Sequence, residues 1–397
     1  ALNRLQSASG SFTGNLAATP DNRSQYTLAM TYSNTGKINT KTQTHSKNGV
    51  NVSANTYNNT YNYVSGSHKI STIINNSTDY FSYDRNGNIS SWYRSSTPTN
   101  FYWDEANRLR VVLSNYGSAL HHYIYDASGE RVLKARSTST SLYTNGSLVS
   151  SSTTMDNYTT YPSGLLVVSP TGIYSKHYYM GSQRIASRVG DGTATIFEGT
   201  PGGGGIQAKK SQQADSTASE LEALKTLQQQ DLLYYAAKAG IKTLEYAPYE
   251  TPDLNELAED GDIGMKSVAA VPTYAIYYYH PDHLGSNTLI TNTTGVPYQL
   301  FLNLPFGETM AEQTTSTGTY QNPYKFNGKE LDAETGLYYY GARYLDPKAS
   351  VWLSVDPLAE RYSSYSPYVY CGGNPVNIRD TDGKEWDRSL WNETKWW

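Results

Sequence analysis

The sequence predicts a mainly β protein: hairpins coiled into a large, cocoon-like shell, interrupted by one small helical insertion. Three observations predict it. The composition favours sheet, a turn-containing frame recurs at short intervals, and one segment alone switches to helical spacing.

The 397 residues include 37 Tyr against 7 Phe, with 32 Gly and only 17% charged residues. Tyrosine suits a pleated surface, where its ring is buried while its hydroxyl reaches water. Mean hydropathy is −0.60, but Tyr counts as polar on that scale, so the value does not indicate disorder. The net charge of −4, without a basic run, disfavours nucleic acid as a partner. No stretch approaches the ~18 uninterrupted apolar residues of a membrane span. A single cysteine, Cys371, excludes an intrachain disulfide framework and reads as a buried small residue. The chain begins in mid-pattern without Met, as a piece of a longer polypeptide would.

The repeat follows. Tyr83-Asp84-Arg85-Asn86-Gly87-Asn88-Ile89, Trp103-Asp104-Glu105-Ala106-Asn107-Arg108-Leu109 and Tyr125-Asp126-Ala127-Ser128-Gly129-Glu130-Arg131-Val132 share one frame. An aromatic and an Asp precede two variable residues, a Gly or Asn, and then an aliphatic. Weaker copies lie at Tyr32–Ile38 and Tyr63–Ile70. The anchors recur roughly every 20 residues, a spacing typical of stacked repeats. The Asp side chain accepts bonds from turn amides, and Gly or Asn supplies the positive φ of the turn. One hairpin cannot bury its apolar face or cover its edges. Stacked hairpins do both, so a continuous coiled sheet is expected.

Gly202–Gly205 then break the pattern. Leu221, Leu224, Leu227, Leu232 and Leu233 follow at helical spacing, with Thr217 and Glu220 placed as a capping box and Gly240 as a stop. Residues 201–268 therefore read as a helical insertion, which packs on or plugs the shell or else binds a partner.

The aromatic–Asp frame resembles the YD repeat of bacterial RHS (rearrangement hotspot) proteins, also found in Tc-toxin shell components and teneurins. The resemblance is more specific over about residues 275–384. Tyr278-Tyr279-His280-Pro281-Asp282-His283-Leu284-Gly285-Ser286 is similar to a signature of the RHS core. So are Asp332-Ala333-Glu334-Thr335-Gly336-Leu337, Arg343-Tyr344-Leu345-Asp346-Pro347, Ser354-Val355-Asp356-Pro357 and Tyr370-Cys371-Gly372-Gly373-Asn374-Pro375. The resemblance implies a YD-repeat wall over 1–200, the helical insertion over 201–268, an RHS core closing the shell over 269–384, and the start of a variable cargo or plug over 385–397. It further implies a secreted or cell-surface bacterial protein that encapsulates and delivers its own C-terminal toxin in interbacterial competition. Upstream repeats or a separate capping or secretion component would close the other end. The inner wall is expected to be polar and Tyr-lined. An adhesion or interaction module built from the same repeat, without cargo, is the alternative. No cofactor or metal is implied.

In such shells the chain cuts itself after the core, by aspartic-protease-like chemistry in which two carboxylates share a proton. The resemblance places Asp380 at the motif's first Asp, with Asp356 as the candidate second carboxylate and Asp382 in support. Register alone puts the scissile bond at Lys384–Glu385. The family's motif is altered: Thr381 and Lys384 stand where it has Pro and Leu, and its Gly-Arg-Phe has no counterpart near Lys348–Trp352. Arg379 or Arg343 must then supply the arginine. The activity would be a single-turnover event. The alternative is a plain turn in which Asp380 and Asp382 cap backbone amides. His280, Asp282 and His283 read as a strand-ending turn rather than a metal site. His121 and His122, adjacent on a strand, point to opposite faces. Four of the seven tryptophans fall in 386–397, so this tail is not expected to be left loose in water.

Overall fold

The turns of the repeat set the architecture. In a computed structural model that describes residues 3–14, 23–114, 119–144, 147–190, 274–315 and 320–387, the Asn88 amide donates to Asp84 Oδ1 at 2.8 Å and Gly87 sits at φ +90°. The Arg108 and Glu130 amides bond Asp104 and Asp126 in the same way, at 2.9 and 3.0 Å. The outer chain pair closes as Asp84 N to Asn88 O at 2.9 Å. Strand register shifts beside each turn, at Ser82/Tyr83 and Ile124/Tyr125 for example. A tight turn followed by a left-handed Gly or Asn and a bulge is a standard way to match a hairpin to the right-handed twist of its strands.

Linked in this way, the strands form a 20-stranded antiparallel sheet. It is a meander in which successive strands pair, from Ser7–Thr13 to Thr309–Thr314. The two-residue strand Val50–Asn51 is a side branch that pairs only with Ile38–Lys47. The sheet coils back on its own start. Ser24 Oγ donates to Met310 O at 3.0 Å, Asn55 Nδ2 to Thr309 O at 2.8 Å and Gln313 Nε2 to Gly14 O at 3.1 Å. Along the wall, burial alternates with the pleat: Tyr57, Asn59 and Tyr61 face inward and their neighbours outward. This is the β-shell expected from the repeat. The helical insertion over 201–268 and the residues from 388 onward lie outside the described residues.

Residues 320–387 fill the inside of the coil. They carry only short strands, among them a four-stranded sheet of Glu330–Asp332, Leu337–Tyr339, Tyr344–Asp346 and Val351–Trp352. Tyr338, Leu345, Trp352 and Tyr370 are completely buried. They join Leu28, Ile38, Ile70, Phe81, Ile89, Phe101 and Leu109 of the wall in one core. Where it meets this segment, the inner wall presents aliphatic and aromatic side chains, Tyr61, Tyr123 and Tyr125 among them. Apolar area removed from water, about 25 cal/mol per Å², holds the two parts together.

Buried charge fixes their register. The ammonium of Lys41, fully enclosed, meets Glu308 at 2.8 Å and Ser350 Oγ at 2.9 Å, and Tyr57 donates to the same carboxylate at 2.6 Å. Arg131 pairs with Asp332 at 2.7 Å and Glu330 at 2.8 Å, and Lys134 adds contacts of 3.0 and 3.2 Å to the same two acids. Burial pushes the Glu330 carboxyl up, but Arg131 and Lys134 outweigh it and hold the group at about 2.

Candidate active site

Within this packed segment, one arginine collects the residues singled out by the sequence. Arg343 immediately precedes the strand Tyr344–Asp346, and its guanidinium lies 4.2 Å over the ring of Trp352. Its Nη2 reaches Asp356 Oδ2 at 3.0 Å and Asp380 Oδ2 at 3.4 Å, and its Nε donates to Gly383 O at 2.5 Å. All three side chains are buried. Asp356 is oriented from behind by the Leu358 amide, which donates to Oδ1 at 2.8 Å.

Asp380 lies in a two-residue strand, Arg379–Asp380, whose partner is Trp386–Asp387. The register is Arg379 opposite Asp387 and Asp380 opposite Trp386. Residues 381–385 form the loop between them. Asp380 Oδ1 accepts the amides of Gly383 at 2.6 Å and Asp382 at 3.1 Å. Asp382 Oδ1 accepts those of Lys384 at 2.9 Å and Glu385 at 3.2 Å. The capped turn is therefore present, and Asp380 serves it with one oxygen while the other faces Arg343. Gly383 is required here: at φ +77° an added Cβ would lie 2.9 Å from the Arg343 backbone nitrogen.

The electrostatics follow from burial. Loss of water pushes Asp380 up to about 6, even though Arg343 and the two turn amides favour its charged form. Asp356 is raised for the same leading reason, against the pull of Arg343. With one proton on the pair, the two acids and the guanidinium carry no net charge, the cheapest state for an enclosed cluster. One ionised and one protonated carboxyl are also what acid–base hydrolysis requires.

The structure brings together Asp356, Asp380 and Arg343. It does not bring Arg379 to them; that side chain turns to Asp387, with Nη2 at 3.0 Å. Lys384 and Glu385 are exposed at the tip of the loop. Cys371 is fully buried beside the cluster, where burial and the Asp380 charge push its thiol well up. His280, Asp282 and His283 have separate partners: Thr291, the amides of Leu284 and Ser286, and the Val376 carbonyl. Among the described residues, no cluster of three or more His, Cys, Asp or Glu is placed to hold a metal, and no helix is long and apolar enough to cross a membrane.

Sequence reasoning missed the aromatic setting of the loop. Trp386 stacks on Tyr362 at a centroid distance of 4.3 Å and meets Tyr365 edge-on at 5.1 Å. It also missed the bridge of Tyr340 and Tyr370, whose hydroxyls lie 2.9 Å apart and both within hydrogen-bond reach of Asn327 Oδ1. Aromatics are so frequent in this chain that no spacing marks these as partners.

A coiled YD-repeat wall closed over a folded C-terminal segment defines the class. Comparison with known proteins agrees. The crystal structure of TcdB2-TccC3 superposes with a TM-score of 0.57 at 17% identity, over 96% of this chain and 15% of that one. Toxin subunit YenC1 of Yersinia entomophaga is 36% identical over 107 residues, 27% of this chain and 11% of the relative. Salivary gland surface protein 1 of Aedes aegypti is 37% identical over 103 residues, 26% of this chain and 3% of the relative. Toxin protein Tse5 of Pseudomonas aeruginosa is 29% identical over 140 residues, 34% of this chain and 10% of the relative. No family model matches. In fold and over these aligned stretches the chain is similar to RHS-type YD-repeat proteins, and it spans only a small part of each of these relatives.

Proposed function

We propose that this chain is the closing part of a shell that encapsulates and delivers a variable C-terminal toxin in competition between bacteria, and that it cuts its own backbone once. In this reading 1–200 is wall, 201–268 an inserted helical element, 269–384 the closing core and 385–397 the start of cargo or a plug. The protein works outside the cell or at its surface, as the toxin names borne by Tse5 and YenC1 favour. Further wall or a capping component completes the enclosure.

The observation that carries the cleavage reading is the buried Asp356–Arg343–Asp380 cluster beneath the 381–385 loop. An ionised carboxylate takes a proton from water as the water oxygen attacks the carbonyl carbon. The protonated partner gives its proton to the departing amide nitrogen, and the C–N bond breaks. Arg343 stabilises the negative charge that develops on oxygen. The bond assigned is Lys384–Glu385. A second reading has its own support, because the carbonyl that Arg343 contacts belongs to Gly383, which favours a cut one residue earlier.

Intact mass under denaturing conditions tests both. The wild type should yield chains ending at Lys384 and beginning at Glu385, while Asp380→Asn and Asp356→Asn stay whole. An end at Gly383 selects the second reading. Three uncut proteins leave the capped turn, and with it a shell or an adhesion module without self-cleavage.

A further inference from the structure

The loop assigned to the cut is tied down by more than the two aspartates within it. We propose that Lys329 is a positioning residue for self-cleavage. It is one of three donors that hold three successive loop carbonyls and so fix which peptide bond is presented to Asp356 and Asp380. The proposal rests on the cleavage reading, but the clamp itself is present in the uncut chain.

The donors act on consecutive residues. Lys329 Nζ donates to Thr381 O, the Ala342 amide to Asp382 O at 3.0 Å, and Arg343 Nε to Gly383 O at 2.5 Å. All three come from one block of the closing segment. Lys329 closes the helical turn Phe326–Gly328, its amide donating to Phe326 O at 2.9 Å. Its ammonium lies 5.4 Å over the Tyr340 ring, and the Tyr340 hydroxyl is 2.8 Å from Asn327 Oδ1 of that turn. The Tyr340 amide in its turn donates to Arg343 O at 3.0 Å. Block and loop meet backbone to backbone. A Cβ at Gly341, which sits at φ +102°, would lie 3.2 Å from Asp382 O.

Beyond the clamp, Asp382 Oδ1 accepts the Lys384 and Glu385 amides at 2.9 and 3.2 Å, so the nitrogen of the assigned bond is fixed as well. Lys329 is the separable part of this arrangement. Ala342 acts through its backbone, and Arg343 also binds both acids. Removing the Lys329 ammonium leaves those bonds in place and frees the Thr381 carbonyl. The loop can then shift over carboxyls that stay where they are. Burial lowers the Lys329 pKa while the charges of Asp380 and Asp382 oppose the shift, which draws the ammonium to this loop.

The test uses the full chain as wild type, Lys329→Met and Lys329→Arg. Methionine keeps an unbranched stem over Tyr340 without the donor, whereas arginine keeps a charged donor, and a single carbonyl does not demand the geometry of an ammonium. Denaturing mass spectrometry at intervals after synthesis reads the rate of cutting and the new chain ends. Near-UV circular dichroism checks that the aromatic packing is unchanged. Wild type should be cut at one bond. Lys329→Met should be cut about 10- to 100-fold more slowly, as expected for a misplacement of about 1 Å, with ends spread over neighbouring bonds. Lys329→Arg should restore both the rate and the single end. A Lys329→Met chain that cuts like wild type overturns the proposal. So does a slow Lys329→Met chain that arginine fails to rescue, because the fault then lies in packing and not in the donor. An uncut wild type removes the cleavage reading instead, and amide hydrogen exchange of the intact chain then decides the clamp. Exchange at 382–385 at least about 10-fold faster in Lys329→Met supports it, and unchanged exchange overturns it.

Discussion

Gly87 and Gly129 occupy the same place in two copies of the repeat, and both sit at φ +90°. An added Cβ at Gly129 meets nothing within 4 Å, whereas one at Gly87 would stand 2.8 Å from Val355 and 2.9 Å from the Tyr368 hydroxyl. Gly129 itself faces open space, whereas Gly87 abuts residues of 320–387. That difference runs through the molecule. The wall is made by local rules repeated many times: an Asp that caps amides, a Gly or Asn at positive φ, and pairing with the next strand. The enclosed segment has few regular elements and is specified by long-range contacts that occur once each. Redundant local interactions tolerate loss, while unique buried ones do not.

Breaking the contrast at its strongest point means removing a buried charge that joins the two parts. Arg131→Ala leaves Asp332 and Glu330 enclosed with Lys134 and the Tyr161 hydroxyl to answer them. Urea unfolding should show a loss of about 3–5 kcal/mol. The glycine pair sharpens the contrast next. Gly129→Ala should cost about 1–2 kcal/mol for the left-handed backbone alone, and Gly87→Ala about 1–3 kcal/mol more for overpacking. Equal losses would mean that Gly87 does not bear on Val355 and Tyr368.

A third effect comes from pH. Asp380 is raised from 3.8 to about 6, so the folded chain binds its proton more tightly than the unfolded chain does. The stabilisation from this group is full below about pH 4 and is lost as pH rises to about 6. A drop on the order of 2–3 kcal/mol is expected over that window. Asp380→Asn should flatten it, measured as unfolding free energy against pH. The smallest effect belongs to the wall. Arg108, half-buried, and Asp104 pair at 2.8 Å across one turn at the edge of the wall. Arg108→Ala should cost under about 1 kcal/mol, and less at high salt.

The same contrast explains what could be read from the sequence. The wall was legible because its signal is local: Tyr83-Asp84 through Ile89 contains nearly all that its turn requires. The carboxylates of the candidate site were legible only through resemblance. Asp356 and Asp380 are 24 positions apart, and nothing in their spacing places both on Arg343. Arg379, adjacent to Asp380 in sequence, was an equal candidate until the strand pairing carried it to Asp387. Alternation along a strand sends neighbours to opposite sides, so the nearer arginine in sequence is the farther one in space. The aromatic setting of Trp386 was illegible for another reason. Tyr362 and Tyr365 are two of 37 tyrosines, and partners among many identical side chains are chosen by tertiary packing.

Arg343 is the group that joins the two carboxylates to the loop. The most direct measurement is the rate of chain cutting in Arg343→Lys, followed by intact mass, with circular dichroism to confirm that the sheet is formed. Lysine keeps the charge but cannot reach both acids and the Gly383 carbonyl with a planar fork. The wild type should cut, and the folded variant should be slower by about 100-fold or more. A folded Arg343→Lys chain that cuts at the wild-type rate would contradict that role.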